Sequence, residues 1–575
     1  MKILMKNINR LIAFIYLLAL SACSNDISVK PSGGDSGGSN NETLKGDRKE
    51  HATPTDDSKK KPKDPNDPEY SGTAPSYLKK ANLQRLTAQQ YENSIKDIFE
   101  LNSLPALSLP ADEKVEAAYS TFYPNQVVTG IADVTNYFNA SLTLANHLVD
   151  NKANIATIKD CPGASFNNSC LQALVHALGL RLFRQELTDA EVTTLINNVK
   201  SKLTNVASEG DKGLRILLAT LLNSPRFIYQ SFYGESGKTA TSELTSYEIV
   251  AKLSLLLHEK NPSLELLEKA KQGLPKKPDE LKKIVQEMLN SEAASGFLVK
   301  FFAEYLHISQ LSDTSYPGAN WKNLFPLYMQ EFELNLKRIL FDENLDIREL
   351  YHGKTILLNK ELAAIYGLNP PSGTNFEPVD LADSHRSGIV TSGAVMAGNS
   401  TTYLGNATHR GIFISAKFLC VKMSEPPESL QDQIDNFTSL PPVDTARQQV
   451  NAISSNAACA ACHNVFDPIG MLFDGFTSLG LKDTNNPLDN KATVQGKEYQ
   501  GIQQYLEDQK DNLSITQCLI KNFTEFMNGQ YFSDSLTQDS AQYLALQLKS
   551  KEYRFKEFFI ELLASKYFIM VGQAN

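Results

Sequence analysis

Apolar residues along the chain recur mainly at the three- and four-residue spacing of amphipathic helices. Three helix starts share one pattern, in which Leu precedes Thr87, Thr188 or Thr245 and Gln or Glu follows three residues after the Thr. This pattern predicts a capping box together with a hydrophobic staple that starts at the Leu. Phe555 and Phe559 belong to a further helical stripe near the C-terminus. Strand-like alternation is rare, so the sequence predicts a mainly α-helical fold.

The same pattern divides the chain into successive units. A chain of 575 residues is too long for one hydrophobic core. Loop composition, rich in Gly, Pro, Ser or Asn, predicts connections at 234–241, 369–376 and 483–490. The predicted units after the N-terminal region are 78–155, 156–235 and 240–370, each a helical module, then 380–485, which holds a cysteine pair, and 490–575, a C-terminal helical module.

Residues 1–23 have the composition of a lipoprotein signal peptide. A basic start is followed by an apolar run at 11–20, too short to span a bilayer, and small residues then lead to Cys23. This pattern resembles a bacterial lipobox, in which the cysteine is acylated and becomes the mature N-terminus. The alternative is an ordinary signal peptide with an accidental cysteine.

Residues 24–77 are dominated by Gly, Ser, Asn, Asp, Lys and Pro. Such a segment buries too little apolar surface to fold, so we expect a disordered tether. Ser24 after the cysteine favours, by resemblance to lipoprotein sorting, the outer membrane. The protein is therefore expected in the cell envelope, attached to the membrane through its N-terminal lipid without crossing it.

Composition and charge restrict the partners. The chain is 42% hydrophobic and 21% charged, which is ordinary for globular protein, and its formal net charge is −9. No basic stripe is present, so nucleic acid is not an expected partner. A basic redox partner protein would suit the acidity, although the charge alone does not require one.

The segment Cys459-Ala-Ala-Cys462-His463 carries the most specific chemistry in the chain. Two thiols at this spacing reach the two vinyl groups of a haem, and the adjacent imidazole binds its iron. A CxxC disulfide and half of a zinc site are the alternatives. Zinc would need further ligands, and no second CxxC or HxxxH pair occurs. The sequence predicts one covalent haem c, with His463 as axial ligand.

The residues around this segment allow two interpretations each. Asp467-Pro-Ile-Gly470 fits a type I turn, and a polar contact from Asp467 to the haem pocket is the alternative. Phe466 and Phe473 would line the macrocycle or pack in the core. Arg410 would pair with a haem propionate or, as the safer expectation, form an ordinary salt bridge.

The sixth haem ligand stays open. Met527 follows His463 by 64 residues in an apolar helix, a separation compatible with a distal ligand. Met396 and His409 come from a preceding segment, and Met471 is too close in sequence to reach the opposite face. A Met–His haem would favour electron transfer, whereas an open site would allow small-molecule chemistry.

The chain has seven cysteines. With Cys23 assigned to lipid and the CxxC pair to haem, four remain, in a compartment where disulfides persist. Cys161 and Cys170 are close enough in sequence for a local disulfide, which leaves Cys420 and Cys518 as the second pair. Four cysteines permit three connectivities, so these bridges are candidates.

From about residue 80 onward, the chain resembles the secreted cytochrome-like multidomain proteins of planctomycetes and myxobacteria, which are built from serial modules of unknown function. The segments that carry the resemblance are 85–99, 182–191, 223–229, 244–254, 359–367, 410–427 and 459–474. The resemblance implies an exported haem-binding protein with a C-terminal cytochrome-like module in a helical body. Residues 526–530 depart from the family pattern, so the resemblance does not support Met527 as a ligand.

Three functions remain after these observations. The first is a lipid-anchored mono-haem cytochrome that transfers electrons in the envelope. The second is a haem-dependent oxidase or peroxidase that acts on an external substrate. The third is a non-haem binding or scaffold lipoprotein with a CxxC disulfide. No nucleophile elbow, phosphate loop or HExxH motif indicates hydrolysis, and the sequence leaves open whether the protein is an enzyme.

Overall fold

A computed structural model describes residues 73–81, 83–112, 119–125, 130–151, 168–235, 241–312, 315–316, 320–382, 384–400, 407–422, 446–483, 488–531 and 537–572. Cys23 and nearly all of the predicted tether lie outside the described residues. The fold is mainly α-helical, as the sequence predicts. None of the described helices is both long and apolar enough to cross a membrane.

The strands are short: β1 (Lys79–Lys80), β2 (Leu83–Arg85), β3 (Tyr229–Ser231), β4 (Thr241–Glu243), β5 (Thr355–Leu358), β6 (Glu377–Asp380), β7 (Lys491–Val494), β8 (Lys497–Gln500) and β9 (Met570–Gly572). Strand β9 is the middle strand of a three-stranded sheet, parallel to β1 and antiparallel to β4. Val571 lies opposite Lys79 on one side and opposite Ser242 on the other. The other strands form antiparallel pairs: β2 with β3, β5 with β6 and β7 with β8.

The first six helices form an N-terminal group: α1 (Ala88–Ile98), α2 (Ile131–Asp150), α3 (Asn168–Phe183), α4 (Asp189–Lys200), α5 (Gly210–Leu222) and α6 (Pro225–Ile228). They pack around one hydrophobic core, in which Leu144, Leu178 and Leu218 are fully buried. Strand β2 precedes α1 and β3 follows α6, so their pairing joins the two ends of the group.

The next helices are α7 (Ser246–Leu257), α8 (Leu264–Lys271), α9 (Pro278–Leu289), α10 (Glu292–Tyr305), α11 (Trp321–Lys337), α12 (Glu349–His352) and α13 (Lys360–Ile365). The following segment holds α14 (Gly393–Gly398), α15 (Ala407–Phe413), α16 (Ala446–Ser454) and α17 (Ala457–Met471). The C-terminal helices are α18 (Gly501–Asp508), α19 (Leu513–Asn528), α20 (Gln538–Ser550), α21 (Phe555–Leu563) and α22 (Lys566–Ile569). Helices α11 and α15 continue directly into π-helices, Arg338–Asp342 and Ile414–Phe418.

A second and larger core contains residues of α7 to α15 and of α17 to α22. Phe301, Phe523 and Phe559 are fully buried there, and the ring of Phe523 meets each of the other two edge to face at 5.1 Å between centroids. Tyr119 and Phe122 also belong to this core. Residues of the predicted module 78–155 therefore contribute to both cores.

The local helix signals are confirmed. Thr87, Thr188 and Thr245 are N-caps, and each forms a complete capping box with the Gln or Glu three residues on. The predicted apolar stripe near the C-terminus forms α21, with Phe555 and Phe559 buried. These elements form as predicted because capping and helical periodicity depend on residues a few positions apart.

Candidate functional site

The CAACH segment lies in the first half of α17 (Ala457–Met471). Alanine has the highest helix propensity, and four of the helix's first five residues are Ala. Cys459, Cys462 and His463 then stand at positions i, i+3 and i+4, which are neighbours on one helix face. The helical backbone therefore brings together the three side chains that the sequence analysis selected.

Both cysteines of this segment carry free thiols. Cys459 is half-buried, Cys462 is exposed, and neither forms a disulfide. The structure thus gives no support to the CxxC disulfide considered as an alternative. Among the described residues, no group of three or more His, Cys, Asp and Glu side chains is placed so that it could hold a metal ion.

The imidazole of His463 is held on one side by a carboxylate. Its Nδ1 lies 2.8 Å from Oδ2 of Asp467, one helical turn further on. Because an ionised carboxylate can only accept, Nδ1 donates the hydrogen bond. In the neutral imidazole with its proton on Nδ1, the other ring nitrogen, Nε2, carries the lone pair. The ring of Phe466 packs against this imidazole, with 4.9 Å between centroids.

The Asp467 side chain is almost completely buried, with a relative exposure of 1%. Its second oxygen, Oδ1, accepts a hydrogen bond of 2.8 Å from the hydroxyl of Thr408 on α15. Both carboxylate oxygens are therefore satisfied, one by His463 on the same helix and one from a different helix. Sequence reasoning missed Thr408, because nothing in the local pattern shows a contact across 59 residues.

The type I turn predicted at Asp467-Pro468 is wrong, since both residues lie inside α17. The central residues of a type I turn have nearly helical backbone angles, so the same residues are compatible with a helix that runs through them. Asp467 instead contacts His463 within the helix, and its contact to a haem pocket stays a prediction.

Helices α15 and α17 approach each other at two glycines. A Cβ atom on Gly411 would lie 2.0 Å from the carbonyl oxygen of Phe466, and one on Gly470 would lie 1.7 Å from that of Ala407. These distances are far below van der Waals contact, so only glycine fits at either position. The close approach is what places Thr408 within reach of Asp467.

Arg410 lies on α15, two residues after Thr408. It is buried and donates to the carbonyl oxygens of Phe476 (3.2 Å) and Thr477 (2.6 Å). Among the described residues it forms no salt bridge, contrary to the expectation from sequence. Burial lowers the pKa of Arg410 to about 9. Phe473 lies in the larger core, which is the packing role considered for it.

The candidate sixth ligands lie on different elements. Met527 is buried in the larger core on α19, and Met396 is buried there on α14. His409 is half-buried on α15, and burial lowers the pKa of its imidazole. Helices α17 and α19 both pack against the π-helix Ile414–Phe418. Met527 as the sixth ligand stays a prediction.

One of the two candidate disulfides is present. Cys420 and Cys518 are bonded, with their Cα atoms 5.5 Å apart and a separation of 98 positions in sequence. The bridge joins the end of the π-helix Ile414–Phe418 to α19. Cys161, and with it the second candidate pair with Cys170, lies outside the described residues.

A second polar cluster, which sequence reasoning also missed, lies in the larger core near the site. The Tyr366 hydroxyl donates to Oε2 of Glu331 and accepts from the backbone N–H of Gly393, both at 2.7 Å. The Arg386 guanidinium stacks on the Tyr366 ring at 3.9 Å. The cluster joins helices before residue 368 to the segment after residue 386.

Three stretches of the chain match known protein families. Residues 84–150 match PSD3, a protein of unknown function (DUF1587); residues 244–368 match PSD4, a protein of unknown function (DUF1592); and residues 386–486 match PSCyt3, a protein of unknown function (DUF1588). The chain carries serial domains of unknown function. No curated protein and no solved structure matches it.

The PSCyt3 match contains the whole site. It includes Thr408, the CAACH segment and Asp467, together with both glycines at the helix crossing. The name of this family points to cytochrome-like proteins. The polar cluster around Tyr366 lies where the PSD4 and PSCyt3 matches meet, so its contacts hold these two domains together.

Proposed function

We propose that the protein is an exported, lipid-anchored mono-haem cytochrome-like protein that transfers electrons in the cell envelope. In this proposal Cys459 and Cys462 attach the haem by thioether bonds, and His463 is its axial ligand. The observation that carries the proposal is the arrangement on α17, where two unpaired thiols and a carboxylate-held imidazole share one face.

The residues fit a covalently bound haem. Cys462 is exposed and Cys459 half-buried, so both thiols can be reached by a large planar group. Asp467 fixes the tautomer of His463 that leaves Nε2 free, which is the form a metal requires. When bound, the haem would supply a centre that gains and loses one electron. Phe466 would shield one side of the imidazole from water.

The proposed location rests on the N-terminal sequence. Acylation of Cys23 would attach the mature chain to the membrane, and residues 24–77 would separate the folded body from the bilayer by about 40 Å, as a flexible coil of that length does. The net charge of −9 would favour a basic electron partner.

Expression of the full chain together with haem-maturation machinery tests both parts of the proposal. We expect a haem-stained band after denaturing electrophoresis in the membrane fraction. Cys459→Ser with Cys462→Ser should abolish the stain, because noncovalent haem does not survive denaturation. Replacing residues 1–23 with an ordinary cleavable signal peptide should move the stained band to the soluble fraction, because the mature chain then carries no lipid. Asn464→Ala, an exposed neighbour of His463, is the matched control and should change neither result.

A wild-type chain without stain would refute the haem proposal, and a stained band that stays in the membrane fraction after residues 1–23 are replaced would refute the anchor. The reduced visible spectrum then separates electron transfer from catalysis. A low-spin spectrum that is insensitive to carbon monoxide supports transfer. A spectrum that changes with carbon monoxide supports the haem-dependent oxidase or peroxidase instead.

A further inference from the structure

The carboxylate beneath His463 differs from an ordinary i, i+4 partner on a helix. Such pairs usually lie at the surface, where solvent screens them and they contribute little. The Asp467 side chain is 1% exposed, and the glycine crossing of α15 and α17 closes over it. Its charge is therefore screened little, and its position is fixed from two helices.

The negative charge of Asp467 is also directed at the imidazole. In the part of the chain that the structure describes, Asp467 makes an ion pair with His463 and with no lysine or arginine. Arg410 lies on α15 two residues after Thr408, but its guanidinium donates to the carbonyl oxygens of Phe476 and Thr477. The remaining contact of the carboxylate is the neutral hydroxyl of Thr408.

A buried carboxylate that accepts from Nδ1–H draws that proton toward itself. The imidazole gains electron density, and its Nε2 becomes a stronger donor. A stronger and more negative axial ligand stabilises the oxidised iron more than the reduced iron. Hydrogen bonding to an axial ligand is one of the means by which a protein sets a haem potential.

We infer that Asp467 is a positioning residue that lowers the reduction potential of the haem bound at His463, and that Thr408 orients its carboxylate for this role. The inference rests on the proposed haem attachment and adds the property that the attachment alone does not determine. With the Asp467 carboxylate at Nδ1, the haem site would donate electrons more readily than the same haem with a neutral acceptor at Nδ1.

Spectroelectrochemical titration of the haem-loaded full chain tests the inference. Asp467→Asn keeps an oxygen acceptor of the same size but removes the charge. We expect its reduction equilibrium constant to increase at least tenfold, which for a one-electron couple is a rise of 59 mV. Asp474→Asn is the matched control, because Asp474 accepts from the backbone of Asp489 and does not contact His463. Its potential should stay at the wild-type value.

A second measurement needs no variant and applies even if Asp467→Asn fails to fold. In the reduced protein labelled with ¹⁵N-histidine, the Nδ1 resonance of His463 should be displaced toward the imidazolate position. An Nδ1 resonance typical of neutral imidazole overturns the inference, as does an unchanged potential in a folded Asp467→Asn protein. Absence of covalent haem in the wild type overturns the proposed function itself, so the two failures are distinct.

Discussion

At the scale of single residues, the buried Glu331 shows how tertiary surroundings change an ordinary side chain. Its Oε2 accepts from the Tyr366 hydroxyl, whereas Oε1 is buried without a hydrogen-bond partner. The nearby Arg386 donates to the carbonyl oxygens of Thr391 and Gly480 and not to the carboxylate. Burial therefore dominates and raises the pKa of Glu331 from 4.5 to about 7.

The raised pKa predicts a pH dependence of stability. Between pH 4.5 and about 7, the folded state holds a proton on Glu331 that the unfolded state has released. The contribution of this group to the free energy of unfolding is therefore fully present below pH 4.5 and is lost as the pH rises to about 7. Glu331→Gln keeps the neutral shape and should remove this loss, on the order of 3 kcal/mol. Urea unfolding between pH 4.5 and 8 measures it.

Glu333 provides the control for this prediction, because it is exposed on the same helix and pairs with Lys337 at the surface. Glu333→Gln should leave the pH profile of the free energy of unfolding unchanged. If the profile of Glu331→Gln coincides with that of the wild type, the buried carboxylate does not titrate as predicted.

At the scale of elements, the crossing of α15 and α17 determines the geometry of the site. The sequence predicts the individual helices through their periodicity and caps. It does not predict that Gly411 and Gly470 face backbone carbonyls of the opposite helix, since these residues are 59 positions apart. The contact depends on how two helices pack, and a glycine in isolation carries no such information.

The crossing predicts the cost of adding one methyl group. Gly411→Ala or Gly470→Ala should lower the free energy of unfolding by about 2 kcal/mol or more, because the Cβ would meet backbone that cannot rotate away. Gly296→Ala is the control: it lies in α10 with no atom within 4 Å of the added Cβ, and it should stabilise by about 0.5–1 kcal/mol. Thermal or chemical unfolding measures all three.

A wild-type free energy of unfolding in either crossing variant would show that the helices can separate at no cost. Separation should also weaken the Thr408 contact, so these variants are expected to change the environment of Asp467 along with stability.

At the scale of the whole molecule, contacts between distant segments hold the domains as one body. The sheet β1–β9–β4 joins the start, the middle and the end of the described chain. The bond between Cys420 and Cys518 links the chain just after the π-helix Ile414–Phe418 to α19 and encloses the CAACH segment in the sequence between them. The serial order of the matched families therefore does not produce a string of independent domains, because one core extends from α7 to α22.

The disulfide should contribute measurably to this assembly. Cys420→Ala with Cys518→Ala is expected to lower the free energy of unfolding by about 2–5 kcal/mol, since the bond closes a long loop of the unfolded chain. Chemical unfolding with and without reductant measures the effect. In reductant the wild type should approach the variant, and a variant as stable as the oxidised wild type would show that the core alone holds these segments.

The sequence by itself determined what depends on neighbours along the chain. The caps at Thr87, Thr188 and Thr245, the stripe of α21 and the spacing of Cys459, Cys462 and His463 all follow from local backbone geometry. The pairing of Cys420 with Cys518 was a correct candidate reached by elimination, and the structure confirms it.

Only the tertiary structure decided which groups surround the CAACH segment. Thr408 donates a hydrogen bond to Asp467, and Arg410 donates to backbone carbonyl oxygens. In the separate cluster around Tyr366, Glu331 is buried with one carboxylate oxygen that has no hydrogen-bond partner. These outcomes depend on helices that meet across tens of residues. Burial and long-range packing set the electrostatics of a side chain, and no pattern of hydrophobic and polar positions specifies them in advance.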